Sequence, residues 1–310
     1  MQSGWKQFLK RRFASASEYQ CLGIHYCRKG LSISVFKAHG DRSVWVMQHF
    51  IPVENWQSEL ESWVKQNKLT KTPTYLFLST DHYELVQVDK PTVADEEIAQ
   101  ALRWSVQDLV ALEGDLAVDY FEVPAQPTGA NKINVVVSQA QDIKNLSEGI
   151  VNSELTLRQI SVAELAACDL LYGQEEPCVS ITQEAGQDVC LSIVKDGQLY
   201  FSRRLRGYDN IKSFSPDELR MGSIDNLTLE VQRSMDYFES QLRQAAIRKI
   251  VVSMESPHLN VICDIMRELT LIDVEPLAYT FGVDDSIPVK DVFHCSLAAA
   301  TANQLIEGEV

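Results

Sequence analysis

The residues of this 310-residue chain best equipped for chemistry are seven cysteines, six histidines and two runs of carboxylates. A structural zinc site needs four Cys or His ligands at short paired spacings, and a catalytic thiol needs an electropositive surround. Cys21, Cys27, Cys168, Cys178, Cys190, Cys263 and Cys295 instead lie singly in apolar stretches with no Cys-x-x-Cys, so they read as buried free thiols of a reducing compartment. His294 beside Cys295 is the nearest approach to a ligand pair, and no metal is expected. Asp95-Glu96-Glu97 reads as the first turn of a helix, where the macrodipole favours negative charge, and Asp284-Asp285 as a solvated loop. No Walker loop, Gly-x-Ser-x-Gly elbow or Gly-x-Gly-x-x-Gly turn opening a helix is present.

The composition, 45% hydrophobic, is that of a chain able to bury a large core in two domains or one bilobed unit. A net charge of −15 argues against nucleic-acid binding, which needs clustered cations on an accessible face. No run approaches the roughly 18 apolar residues of a spanning helix, and the N-terminus lacks the apolar centre of a secretory signal, so the expected location is the cytoplasm. One local exception stands at the start. Trp5, Phe8 and Leu9 fall on one helical face with Lys10, Arg11 and Arg12 beside them, the pattern of an interfacial membrane contact; a basic leader touching nothing is the other reading.

The elements that would position any site come in two similar sets. Cys21-Leu22-Gly23-Ile24, a polar turn, Leu31–Lys37, Gly40 and Val44–Met47 repeat as Cys178-Val179-Ser180-Ile181, a polar turn, Val189–Lys195, Asp196-Gly197 and Leu199–Phe201. Cys21 to Cys178 is 178 − 21 = 157 and Lys37 to Lys195 is 195 − 37 = 158, so the alignment holds within one residue and predicts a duplicated three-stranded meander. Apolar spacing predicts helices over 223–245, with Ile224, Leu227, Val231, Met235 and Phe238 on one stripe, and from Ser256-Pro257 through Ile262, Ile265, Met266 and Leu269. Ser215-Pro216-Asp217-Glu218 and Ser161-Val162-Ala163-Glu164 both carry the capping-box signal, the second opening a helix to Leu171. Between the meanders, strands at 74–79, 84–88, 118–123 and 133–138 and a helix over 95–112 predict a small inserted α/β unit with a hairpin loop at 126–131.

Leu102-Arg103-Trp104, Asp119-Tyr120, Val135-Val136-Val137, Tyr200-Phe201-Ser202-Arg203-Arg204 and Glu230 through Glu239, set within a duplicated meander with an insert in the first half, resemble the PilM/FtsA-like family of actin-like ATPase folds. Within it the chain is most similar to the PilM-like proteins of mannose-sensitive haemagglutinin (MSHA) pili, from about Tyr19 onward. The resemblance implies an α/β, duplicated actin-like (ribonuclease H-like) two-lobed fold with an inserted small α/β subdomain. Its parts would be a basic leader at 1–18, a first lobe at 19–78, 160–176 and 295–310, an insert at 79–159 and a second lobe at 177–294.

In that family, Mg-ATP lies between two phosphate hairpins, each needing an Asp for the metal and a Gly for close backbone approach. Aligned on the resemblance, the loop from Gly23 to Gly30 has His25 at the Asp position, Cys27 at the Gly position and Ser32 where a phosphate-contacting Lys would stand, with Arg28 and Lys29 as the remaining cations. The second loop has Ser180 for Asp and Thr182 for Gly, and adds Glu184; the adenosine turn is replaced by Met254-Glu255. The implied reading is a pseudo-ATPase without cofactor, serving as an assembly scaffold of an MSHA-like type IV pilus. It would bind the cytoplasmic tail of a PilN-like inner-membrane protein in the cleft between first lobe and insert, with Trp104, Leu109 and Val110 as the candidate contacts. An ATP-binding or polymer-forming actin-like protein, and a GspL-like component of a type II secretion system, remain the alternatives.

Overall fold

Two sheets with one strand order organise the chain, here a computed structural model describing residues 17–39, 42–171, 174–183, 187–254, 256–278 and 282–287. The first sheet starts as an antiparallel meander of β1 (Cys21–Cys27), β2 (Gly30–His39) and β3 (Arg42–Pro52). β4 (Pro73–Leu78) lies parallel beside β1, β8 (Thr156–Val162) parallel beside β4, and β14 (Gly282–Val283) parallel beside β3. The order is β14-β3-β2-β1-β4-β8. The second sheet runs β11 (Gln198–Leu205), β10 (Val189–Lys195), β9 (Cys178–Gln183), β12 (Lys249–Met254) and β13 (Asp273–Pro276), with the same alternation of antiparallel and parallel neighbours.

The duplication extends to register. Cys21 pairs with Phe36 and Cys178 with Val194, displaced by 178 − 21 = 157 and 194 − 36 = 158. Each copy then breaks register at the equivalent step toward its third strand, between Val35 and Phe36 and between Ile193 and Val194. A bulge kept at one place in both copies sets the same strand bend and twist in each sheet. Asp196 (φ 51°) and Gly197 (φ 68°) form the two-residue turn with paired positive φ that a tight hairpin requires. The matching turn at Gly40 lies outside the described residues.

β1 and its copy β9 are central strands buried on both faces, which is why they read as near-continuous apolar runs rather than alternating ones. On one face of the first sheet, α1 (Trp56–Gln66) and α3 (Ala140–Asn152) bring Leu60, Val64, Leu146 and Ile150 against Leu22, Ile24 and Leu76. Gly149 lets these two helices approach, since a Cβ there would come within 2.2 Å of the Trp56 ring. Under the second sheet, α5 (Ile224–Ser240) and α6 (Leu259–Thr270) do the same with Leu227, Val231, Phe238, Ile262 and Met266. α4 (Ala163–Leu170) carries the chain from one sheet to the other. The insert consists of β5 (Glu84–Asp89), α2 (Asp95–Val106), β6 (Leu116–Phe121) and β7 (Lys132–Gln139), in the order β5-β7-β6 with α2 on one face.

Several expectations move. β1 continues through His25 to Cys27, so the turn is Arg28-Lys29 and Gly23 is mid-strand opposite Ser34. α2 stops at Val106 rather than Leu112, because twelve residues span about 18 Å and so match the roughly 20 Å of the six-residue strands it covers. The 223–245 helix ends at Ser240, and Leu242 reaches the core from the following turn. Ser215 and Glu218 form the expected capping box, but Ser161 does not cap: it is paired within β8, and α4 has no side-chain cap. α6 begins at Leu259, after Ser256 Oγ accepts the His258 N–H at 3.2 Å, and Leu269 is on its exposed side. The span 79–159 is too wide for the insert, since α3 and β8 pack and pair with the first sheet. Gly282 and Val283, placed by the sequence reading in the second lobe at 177–294, hydrogen-bond to β3 of the first.

Candidate functional site

Among the strands that end their sheets, and so lack a neighbour on one side, are β6 in the insert and β8 in the first sheet. A groove of about 240 Å³ runs between them. Its wall includes five consecutive residues of β6, Ala117 through Phe121, and three of β8, Ile160 through Val162. Successive strand residues point to opposite faces, so a wall built from consecutive residues follows a strand's edge rather than one face. Unpaired edge N–H and C=O groups are a template for an added strand. The floor is apolar, with Leu78, Val136, Ile143 and Leu165. Such a slot suits an extended, apolar peptide held by main-chain hydrogen bonds. Phe121 also lines a second groove of about 470 Å³, between the insert and the second sheet, with Leu85, Tyr200, Phe201 and Tyr237.

The candidate partner contacts fall elsewhere. α2 covers the opposite face of the insert sheet, burying Ile98, Leu102 and Val106 there. Trp104 is therefore turned to solvent at 76% exposure, Leu109 sits in the turn after α2 at 55%, and Val110 packs against the insert's own core. None of the three lines the groove between insert and first sheet. The groove residues lacked a sequence signal because strand edges facing each other come from segments over 30 positions apart, which no local periodicity links. Trp5, Phe8, Leu9, Lys10, Arg11 and Arg12 lie outside the described residues, as do Glu184, Glu255, His294 and Cys295. Among the described residues, no helix is long and apolar enough to cross a membrane, and no three His, Cys, Asp or Glu residues are grouped to hold a metal.

The two hairpins read as degenerate phosphate loops face the cleft between the sheets. His25 is fully buried in β1 and stacks on Phe77 at 4.6 Å, with Ser32 as its cross-strand partner. Cys27, at the end of β1, is also buried. Ser180 is buried opposite Ser192, Thr182 pairs with Cys190, and Met254 is packed in the second core. Arg28, although 76% exposed, turns to Asp81, its Nε 3.5 Å from Oδ1. The other oxygen of Asp81 accepts Gln187 Nε2 from the second hairpin at 2.8 Å. One carboxylate, just beyond β4, thus joins both hairpins. Gln183 Nε2 closes the second hairpin locally by donating to the carbonyls of Gln187 and Tyr208.

Burial pushes the thiols of Cys168 and Cys178 up to about 12 and those of Cys190 and Cys263 up to about 11. They are protonated at neutral pH, which suits packing and not nucleophilic attack. The His82 ring lies tilted against that of Tyr26, with centroids 4.3 Å apart, beside the first hairpin, and burial lowers its pKa from the usual imidazole value.

No protein-family model and no curated protein sequence matches the chain. Solved structures do. A PilM-PilN type IV pilus biogenesis complex is similar at 14% identity and TM-score 0.65, over 93% of this chain and 98% of that one. The cytoplasmic domain of EpsL, an inner-membrane component of the type II secretion system of Vibrio cholerae, aligns at 12% identity and TM-score 0.48, over 92% of this chain and 97% of that one. A protein of Bacteroides thetaiotaomicron with an actin-like ATPase fold and unknown function aligns at 10% identity and TM-score 0.50, over 85% of this chain and 92% of that one. The repeated sheet order and the likenesses to the PilM-PilN complex and the Bacteroides protein together show that the chain has the two-lobed α/β fold of actin-like ATPases.

Proposed function

We propose that this chain is a non-catalytic assembly protein of a type IV pilus platform of the MSHA kind, acting in the cytoplasm at the inner membrane. It holds the tail of a PilN-like bitopic membrane protein in the groove between β6 and β8. The observation that carries this reading is the groove itself: two strand edges without a neighbouring strand, the Tyr120 N–H of one held by the Asp119 side chain, over an apolar floor offer both the main-chain and the side-chain halves of peptide-strand recognition. The likeness to a PilM chain solved with PilN supports the choice of occupant. Val136 lies on the floor and is only partly buried, so an arginine there places charge in the path of the peptide while leaving room to fold. Fluorescence anisotropy with the N-terminal peptide of a PilN-like protein should show Val136→Arg weakening binding at least about tenfold, or 1.4 kcal/mol. Equal affinity of the variant and the parent would refute the groove.

Loss of catalysis is supported by the contacts in the cleft. Asp81 takes up Arg28, and the strand positions where the resemblance places metal-binding carboxylates hold His25 and Ser180. Both oxygens of Asp81 are engaged, by Arg28 and by Gln187, so neither this carboxylate nor the Arg28 cation is left free for a metal or a phosphate. Mg-ATP or Mg-ADP at millimolar concentration should therefore move the melting temperature by less than about 1 °C, whereas stabilisation by several degrees would restore the ATP-binding reading.

A further inference from the structure

We propose that Glu164 is the node of a ligand-independent latch that clamps the second lobe onto the first and fixes the root of the insert. The proposal stands apart from the peptide reading and holds whether or not the groove binds a tail. Glu164 is the second residue of α4, the helix by which the chain crosses between the sheets, and is 1% exposed. Its Oε2 accepts the Tyr83 hydroxyl at 2.5 Å, and its Oε1 accepts Arg204 Nη2 at 2.9 Å and Nε at 3.2 Å. Tyr83 immediately precedes β5 and so belongs to the root of the insert. Its oxygen in turn accepts the backbone N–H of Ala163 at 3.0 Å. Arg204 comes from β11 of the second sheet and lies over the Tyr83 ring at 4.9 Å. First lobe, insert and second lobe therefore meet at one buried carboxylate.

This arrangement has the character of a switch rather than a spring. A carboxylate removed from water is stable only with its donors in place, and the planar guanidinium fork demands one orientation. Rotating β11 away from α4 strips Glu164 of both Arg204 bonds at once, and the group then needs water, so intermediate openings are disfavoured. Burial and the charge of Glu164 hold the Tyr83 phenol well above its ordinary pKa, which keeps it a donor at neutral pH. Arg204 reaches the first lobe a second time, Nη1 donating to the Thr80 carbonyl at 3.4 Å, and the neighbouring Asp81–Gln187 bond crosses the same cleft. The crossing contacts that a ligand between the lobes would otherwise supply are built into the chain.

Hydrogen exchange read by mass spectrometry on the ligand-free full chain tests the latch. In Arg204→Met, which keeps the length and loses the charge and fork, the amides of 79–84, 161–168 and 199–206 should exchange at least about tenfold faster, with β1, β2, β9 and β12 unchanged. Tyr83→Phe, lacking one hydroxyl, should accelerate 79–84 while sparing 199–206. Unchanged exchange at the seam would overturn the proposal, and so would uniform acceleration across both sheets, which would make Arg204 a contributor to global stability alone. Should Arg204→Met fail to fold, Arg204→Lys retains charge without the fork; it should open the same three segments, and wild-type exchange there would equally overturn the latch.

Discussion

Gly30→Ala is expected to destabilise the protein by about 3 kcal/mol or more, measured by urea denaturation against the parent chain. Gly30 opens β2 with φ +147°, a conformation side chains rarely adopt. An added Cβ would stand 2.0 Å from the carbonyl oxygen of Ile51 and 2.9 Å from the Cα of Pro52. Those atoms are backbone of β3, the strand that pairs Gly30 with Pro52 and Leu31 with Ile51, so relief requires moving a strand rather than a rotamer. The Val53 N–H also donates to the Lys29 carbonyl at 3.1 Å across this corner, and it would be lost with the pairing. A measured loss below about 1 kcal/mol would show that the hairpin relaxes and that the close approach does not matter.

Phe238→Ala should cost about 4 kcal/mol through lost burial and the cavity left behind. Phe238 is fully buried on α5 and packs edge-on against Tyr200 of β11, with ring centroids 5.6 Å apart at 77°. It therefore ties the helix to the edge strand of the second sheet. Leucine would refill much of the space, so Phe238→Leu should cost under about 2 kcal/mol. The two midpoints in urea separate the cases: equal losses for alanine and leucine would mean that ring geometry, not volume, is what the site needs. Because Phe238 belongs to the second-lobe core, the peptide binding proposed for the groove between β6 and β8 should survive at temperatures where the variant is folded.

The parts legible from sequence are those with a short-range cause. The meanders announced themselves because a central strand buried on both faces must be apolar throughout, and because Asp196-Gly197 has the conformational freedom its turn needs. The stripe on α5 followed from helical periodicity, and the capping box at Ser215 and Glu218 from its local reciprocity. Glu164 shows the limit. Its spacing from Ser161 is that of a capping box, yet Ser161 is held by the β8 ladder and the carboxylate is claimed by Tyr83, 81 positions away, and Arg204, 40 positions away. A buried charge takes the strongest donors within reach, and sequence spacing does not report reach. Trp104 shows the limit from the other side: an aromatic residue on an amphipathic helix reads as a contact in the groove between insert and first lobe, but the face presented to that groove is the sheet, and Trp104 stands exposed on the helix behind it.

By itself, then, the sequence determined the duplicated strand pattern, the presence and place of an inserted unit, the helices packed beneath the sheets and the singly placed thiols. Each of these follows from neighbours in the chain or from a repeat of it. Only the tertiary structure decided that β6 and β8 are left as facing edges, that Asp81 joins the two hairpins, and that Glu164 gathers three parts of the molecule. Those features depend on which strands end a sheet and which charges are brought together on closure. Both are properties of long-range packing, set by how the two lobes and the insert bury their surfaces against one another.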